Sequence, residues 1–278
     1  MKKIGVLAVV MAMAFLFVGV VQAEMYVEGY IGGSMASSTG QSISVRDLQP
    51  GPAFNSIYHY KNSGSFDPTV LGGVKLGTWF VKEGFAGLGY PDWMKYFGFY
   101  TDFSFQRLYN RDNRLSGTEL AGVAGTPIGF AATEAGFVKI EGTVATWAFM
   151  FTGRYGFFPD SEVPFGRLQP YVGVGPAIMF TSMKPKLHTR GIGTFNGVQT
   201  LGMDPGNQGS TDIALAVDAG VRYMALKNVS FDLSFKYRYA QPNYTFNGQN
   251  GPDFVPAKFT MSPALNLYSF QLGVAYHF

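Results

Sequence analysis

The most regular feature of the chain is an alternation of apolar and polar residues with period two. In Ser230–Tyr239, which reads SFDLSFKYRY, large apolar side chains occupy the odd positions, and Ser, Asp, Lys and Arg occupy the even ones. Such alternation indicates a β-strand whose two faces meet different environments, because a helix would spread both sets around its circumference. The same pattern predicts strands at Tyr96–Gln106, Asp212–Tyr223 and Tyr268–Phe278.

Four further segments alternate less cleanly. We predict the remaining strands at Met25–Met35, Thr69–Phe80, Gly142–Tyr155 and Gln169–Phe180. Pro176 lies inside the last of them, and proline is normally confined to strand edges or bulges. We therefore keep this segment as a strand and expect a bulge at Pro176. The predicted set then contains eight strands.

The connections between these strands alternate in length. Those after the second, fourth and sixth strands are shorter, and the last of these is a tight hairpin at Lys227-Asn228. The other four are long, and they cover Ala36–Pro68, Tyr109–Glu141, Thr181–Thr211 and Ala240–Ala264. Long loops on one side and short turns on the other are typical of outer-membrane barrels. The sequence therefore predicts an all-β fold, an eight-stranded antiparallel up-and-down transmembrane β-barrel with four long, irregular extracellular loops.

The first 23 residues have the layout of a secretory signal peptide. Met1-Lys2-Lys3 is basic, Ile4–Val20 is almost wholly apolar, and Ala23 offers a small residue at the cleavage position. We expect residues 1–23 to be removed and residues 24–278 to form one barrel domain. An N-terminal membrane anchor is the alternative, since the apolar run is slightly long for a signal peptide.

Composition supports a barrel in a membrane. Aromatic residues make up 16% of the chain and charged residues only 14%, whereas soluble domains carry about 25% charged residues. A soluble sandwich or lipocalin-like barrel would need an outer face dense in Lys, Glu and Thr, but here the polar faces are rich in Gly, Ala and Ser. The absence of cysteine excludes a disulfide scaffold, thiolate metal sites and a lipoprotein anchor, and a net charge of +3 gives no footprint for nucleic acid.

The segment LQPYVGVGPA and the final GVAYHF carry a family resemblance. With the signal peptide and the alternating strands, they make the mature chain similar to the small bacterial outer-membrane β-barrel family, the group that includes the OmpA transmembrane domain and OmpW. We expect a monomer in the cell outer membrane, in contact with outer-membrane lipid and lipopolysaccharide, with both termini periplasmic. The resemblance implies insertion by the barrel assembly machinery, and we expect this machinery to recognise the last strand through Phe270, Leu272, Val274, Tyr276 and Phe278.

Strand parity predicts which charged residues point into the barrel. They are Glu28, Lys75, Asp102, Arg154, Asp218, Arg222, Asp232, Lys236 and Arg238. The interior of an eight-stranded barrel is only wide enough for its own side chains, and buried charges must be paired to be tolerated. We expect a closed structural network of ion pairs; a gated path for ions or solutes is the alternative.

The sequence offers little support for catalysis. Hydrolysis by a barrel enzyme would need a histidine beside a serine, and the three histidines are His59 and His188 in predicted loops and His277 at the C-terminal strand end. We expect no enzyme activity, no cofactor and no metal. The predicted function is a structural or surface-interaction role through the long loops. The alternative is a narrow channel or carrier for small hydrophobic or ionic solutes, and the aromatic stripes fit either interfacial girdles or a hydrophobic groove.

Overall fold

The computed structural model describes residues 24–47, 54–81, 89–123, 126–191, 199–203, 206–250 and 255–278. The predicted signal peptide lies outside these residues. The described residues contain a short 3-10 helix, Asp92–Tyr96, and none of their helices is long and apolar enough to cross a membrane. The strands are β1 (Glu24–Asp47), β2 (Phe54–Trp79), β3 (Phe97–Val123), β4 (Thr126–Arg154), β5 (Leu168–Gly191), β6 (Gln199–Met203), β7 (Gln208–Leu226), β8 (Val229–Ala240), β9 (Tyr244–Asn250) and β10 (Val255–His277).

Eight of these strands close into an antiparallel ring. The order is β1-β2-β3-β4-β5-β7-β8-β10, and β10 pairs back with β1 from Tyr26 opposite His277 onward. Two short strands lie off the ring path, because β6 pairs with β5 and β9 pairs with β10. Closure leaves the ring without an open edge, which is the condition for a sheet to cross a membrane. The predicted fold class is confirmed.

The barrel has two distinct ends. We call the end that holds Glu24, Phe278 and the hairpin between β7 and β8 the terminal end, and the opposite end the distal end. The predicted hairpin is confirmed, since Leu226 pairs with Val229 across a two-residue turn. The predicted bulge at Pro176 is wrong: the β4–β5 register is the same on both sides of it, with Phe151 opposite Val174 and Ala148 opposite Ala177.

The four long connections are largely strand rather than irregular loop. β1 runs on to Asp47, β2 begins at Phe54, and β3 and β4 are separated only by residues 124–125. Large parts of the ranges predicted as loops thus extend the same hairpins. The sequence prediction failed there because it sought apolar residues on one fixed strand parity, and the parity of the apolar residues changes.

The change is clearest along β10. Near the terminal end the outward side chains of β10 are large and apolar and the inward ones are polar, as in Leu272 and Gln271. Farther along the same strand the outward side chains Lys258, Thr260 and Ser262 are polar and exposed, and the inward side chains Phe259, Met261 and Leu265 are apolar and buried. The strand continues without changing which parity faces inward, so only the polarity of the two faces is exchanged.

The exchange occurs at one level around the barrel. On three adjacent strands it falls at Gln106, Val144 and Thr181, and these residues are direct cross-strand partners. On the other side it falls at Ala240, opposite Leu265, and at Ala36, opposite Leu267. We call this level the boundary ring, the outward apolar surface between it and the terminal end the apolar belt, and the part beyond it the distal barrel.

The height of the apolar belt fits a bilayer. β8 runs from the terminal hairpin to the boundary ring in 12 residues. At about 3.3 Å per residue and a tilt of about 45°, such a strand spans about 28 Å, close to the hydrocarbon thickness of about 30 Å. The distal barrel, with a polar outside and an apolar inside, has the face pattern of a protein in water.

Candidate functional site

The structure places all nine predicted inward charges inside the barrel, each no more than 4% exposed. Eight of them form one group, which we call the central cluster. It contains four acids and four bases, and it is formally neutral. Its members are Glu28, Lys75, Asp102, Asp218, Arg222, Asp232, Lys236 and Arg238.

Ion pairs cross the lumen of the barrel. The Glu28 carboxylate on β1 lies 2.9 Å from the Arg222 guanidinium on β7 and 2.7 Å from the Lys75 ammonium group on β2. Asp102 on β3 pairs with Lys236 on β8, and Arg238 lies 3.6 Å from the same carboxylate. Lys75 is the direct cross-strand partner of Glu28, whereas the Glu28–Arg222 and Asp102–Lys236 pairs join strands that are not neighbours in the ring. The central cluster therefore spans the lumen of the barrel.

Each aspartate of the cluster also accepts a tyrosine hydroxyl. Tyr30 donates to Asp102 and Tyr100 donates to Asp218, both at 2.5 Å. Tyr171 donates to Asp232 at 2.8 Å. Hydrogen bonds to ionised groups are the strong ones, so the tyrosines add to the compensation that buried charges need. Sequence parity places these tyrosines inward, but it did not identify their role.

Inward glycines make room for the tyrosine rings. Tyr26 lies opposite Gly77 and Tyr171 lies opposite Gly220. A Cβ added at Gly77 would come within 2.5 Å of the Tyr26 ring, and one at Gly220 within 2.8 Å of the Tyr171 hydroxyl. A ring lying over a cross-strand glycine also protects a weak point of the sheet.

Arg154 belongs to a second group at the terminal end. Its guanidinium donates two hydrogen bonds to Glu24, at 2.6 and 2.8 Å, and a third to the Gln169 side chain at 3.0 Å. The guanidinium also lies against the rings of Trp79 and Phe165, with its Cζ atom 3.9 and 4.1 Å from the two ring centroids. This layer covers the central cluster where a solute would enter from the terminal end. Glu24 was not among the predicted site residues, because it lies at the first residue of its strand.

A serine and a histidine meet in this terminal layer. Ser230 Oγ lies 2.9 Å from His277 Nε2, and His277 Nδ1 lies 3.9 Å from Glu24. A nucleophile, a base and an orienting acid in this order would suggest a hydrolase. However, Ser230 is completely buried, and the Glu24 carboxylate is already bound by Arg154. The serine that would act as the nucleophile is therefore shielded from solvent, although Glu24 and His277 line a pocket at the terminal end. The side chains of His59 and His188 fall outside the described residues.

In the part of the distal barrel whose side chains are described, the interior is packed with apolar residues, which the sequence analysis missed. Tyr244 closes this core from β9, donating its hydroxyl to Thr181 Oγ1 at 2.5 Å, and burial raises the pKa of this phenol well above its ordinary value. The signal was available in segments such as YTFN and KFTMS, where apolar residues alternate on the inward parity. From the boundary ring outward the core includes Leu108, Val138, Ile140, Val144, Met183, Phe246, Phe259, Met261, Leu265 and Leu267.

The residues predicted as an assembly signal all point outward. Phe270 and Leu272 are 66% and 67% exposed, and Val274, Tyr276 and Phe278 continue the same row into the apolar belt. The backbone N–H of Phe278 donates to the carbonyl of Met25 at 2.9 Å, so the last residue is part of the closure between β10 and β1.

Fold and site together define a closed transmembrane β-barrel with the central cluster in its lumen. The chain belongs to the outer membrane protein β-barrel domain family, whose model matches residues 6–278. This family implies a location in the bacterial outer membrane.

Solved outer-membrane barrels are similar to the chain over most of its length. Neisserial surface protein A is 12% identical, with 91% of this chain and 97% of that chain covered and a TM-score of 0.40. The outer membrane protein OprG from Pseudomonas aeruginosa is 14% identical, with 93% and 99% covered and a TM-score of 0.37. Ail, the attachment invasion locus protein of Yersinia pestis, is 13% identical, with 92% and 99% covered and a TM-score of 0.32. No curated protein sequence matches the chain.

Proposed function

We propose that this protein is a non-enzymatic outer-membrane anchor that holds a β-structured distal barrel at the cell surface for contact with other molecules. The observation that carries the proposal is the polarity exchange at the boundary ring. It fits a barrel whose belt lies in lipid and whose continuation stands in water on its own apolar core. Rigid scaffolds that carry exposed segments are the usual basis of recognition at such surfaces.

This proposal moves the contact surface from irregular loops to the outer face of a sheet. Outward positions of the distal barrel such as Thr245, Asn247 and Thr260 are polar and exposed. Those of its inward side chains that the structure describes pack with one another, which supports a surface of fixed shape. A partner would therefore meet a preformed surface and would not have to order a long loop on binding.

The terminal end would then face the periplasm and the distal end the cell exterior. Because the chain has no cysteine, single cysteines can test this orientation. We expect a membrane-impermeant maleimide to label Thr260→Cys in intact cells, since Thr260 is outward and exposed beyond the boundary ring. Lys227→Cys, in the terminal hairpin, is the matched control and should react only after lysis. Labelling of the Lys227→Cys protein alone in intact cells would show the opposite orientation.

A narrow channel is the second candidate function, since the lumen of the belt is polar. The central cluster, the Arg154 layer and the distal apolar core argue against it, because in the described part of the barrel they occupy the interior at three successive levels. We expect purified protein in planar bilayers to give no steady conductance above the bare membrane. A stable conductance that changes in the Asp218→Asn variant would instead favour an ion path through the central cluster.

The outward row that ends at Phe278 is proposed to serve recognition by the barrel assembly machinery. Deleting Phe278 removes one of many side chains of the belt and a single backbone hydrogen bond to Met25, so we expect refolding of the purified chain in detergent to remain nearly normal. The amount assembled in cells should fall several-fold, as measured by heat-modifiable mobility on gels. Removing the exposed Phe158 side chain with Phe158→Ala is the control for a lost aromatic. Equal losses in both assays would assign Phe278 a structural role only.

A further inference from the structure

A cluster of basic side chains lies on the outer face of three adjacent strands, just beyond the boundary ring. Arg107 on β3, Lys139 on β4, and Lys184 and Lys186 on β5 all point outward, and Glu141 is the acid among them. We call these five residues the basic patch. They carry four positive charges and one negative charge.

The strand register brings like charges together in the patch. Lys139 lies directly opposite Lys186 across the β4–β5 pair, and Glu141 lies opposite Lys184. Lys139 Nζ is 2.9 Å from Glu141 Oε1, and this hydrogen bond lowers the pKa of Glu141, so the carboxylate is ionised. Lys186 faces Lys139 in this register, and like charges facing each other across a sheet are destabilising. An anion bound between the lysines would offset this repulsion.

The height of the patch matches the head groups of a lipid leaflet. Val144 and Thr181 mark the boundary ring on β4 and β5, and Lys186 is the fifth residue beyond Thr181. At about 3.3 Å per residue and a tilt of about 45°, this places its backbone about 12 Å above the hydrocarbon. The head-group layer is about 5–8 Å thick on each side, so the backbone of Lys186 lies a few Å above this layer. A lysine side chain is long enough to reach back into it.

The surface beneath the patch is apolar and exposed. Phe180 on β5 and Trp147 on β4 point outward below the boundary ring, 42% and 43% exposed. A soluble anion or an acidic protein would use only the lysines. A lipid would use both surfaces, with its acyl chains along the aromatic wall and its charged group among the lysines.

We propose that the basic patch binds the phosphate groups of a phosphorylated membrane lipid, such as a phosphorylated glycolipid of the outer leaflet. The lysine ammonium groups bind the phosphate as point charges, and Arg107 lies at the level of the boundary ring. The proposal rests on the proposed orientation in one respect: the orientation determines which leaflet supplies the lipid.

The test is lipid binding by the full purified barrel in detergent, measured by native mass spectrometry. The probes are lipid A with its two phosphates and the same lipid after phosphatase treatment. Each lysine near an anionic surface contributes about a fivefold factor in binding. We therefore expect Lys139→Gln/Lys186→Gln to weaken binding of the phosphorylated lipid about 25-fold and to leave binding of the dephosphorylated lipid unchanged. Lys258→Gln, an exposed distal lysine on β10, is the matched control and should bind as the wild type does.

A thermal measurement keeps the result independent of folding defects. Without lipid, the double variant should unfold at nearly the same temperature as the wild type, because it loses both the repulsion between Lys139 and Lys186 and the exposed ion pair between Lys139 and Glu141, which are small and opposite effects. With phosphorylated lipid the wild type should unfold at the higher temperature.

Equal binding of both lipid forms by the wild type would overturn the proposal, and so would equal binding of the phosphorylated lipid by the wild type and the double variant. Equally tight binding of a soluble phosphosugar without acyl chains would also overturn it. The maleimide experiment reports orientation separately, so a periplasmic distal end would remove the proposed function without removing lipid binding at the patch.

Discussion

Leu233→Arg is expected to destabilise the barrel by about 2–4 kcal/mol, the cost of an arginine on the lipid face at the bilayer midplane. Leu233 lies near the middle of β8, points outward with 56% of its surface exposed, and pairs with Leu272 and Val221. An arginine there would place a charge in hydrocarbon far from either head-group layer. The free energy of unfolding in lipid vesicles, measured by urea titration with tryptophan fluorescence, should report the loss.

The matched control uses the same substitution beyond the boundary ring. Thr245 also points outward and is exposed, but it belongs to the distal barrel. Thr245→Arg should change the free energy of unfolding by less than about 0.5 kcal/mol, as for ordinary surface changes. If the two variants lose equal stability, the boundary ring does not mark the edge of the membrane.

Arg222→Ala is expected to cost about 3–5 kcal/mol, because removing one partner of a buried ion pair leaves the other charge uncompensated. Arg222 is 2% exposed, binds Glu28 at 2.9 Å, and stacks on Tyr26 at 4.2 Å. The same urea titration measures the effect. Lys258→Ala, which removes an exposed distal charge, serves as the control and should be nearly neutral.

A double-mutant cycle separates the ion pair from general packing. Glu28→Gln alone should also destabilise the barrel, because Lys75 and Arg222 would both lose their carboxylate partner. In Arg222→Ala/Glu28→Gln the loss should be smaller than the sum of the two single losses, since neither charge is left alone. Additive losses would mean that Glu28 and Arg222 do not act as a coupled pair.

Within the apolar belt, the sequence was sufficient to predict the fold and the facing of the strands. Period two is a local property, and Leu233 and Asp232 must point to opposite faces whatever the rest of the chain does. The hairpin at Lys227-Asn228 was likewise predictable. Two strands joined by only two residues can pair with each other only as antiparallel neighbours.

The alternation also continued past the belt, in segments such as KFTMS, but its polarity was reversed. Reading that reversal requires knowing where the surrounding medium changes from lipid to water. This is a property of the assembled barrel, because Ala240 and Leu265 mark a boundary only when they lie beside each other at one height. The ranges predicted as loops were therefore strands whose apolar side faced inward.

What the sequence by itself determined about this protein was which strand parity faces inward in the apolar belt, including every charge of the central cluster. Which charges meet was decided only by the tertiary structure. The register of β7 and β8 brings Arg222 opposite Asp232, at 3.5 Å. Arg222 nevertheless makes its shorter contact, 2.9 Å, with Glu28 on β1, a strand that does not neighbour β7. The physical reason is closure: the ring of eight strands is narrow enough for long side chains to reach across it, and that distance is set by the whole barrel.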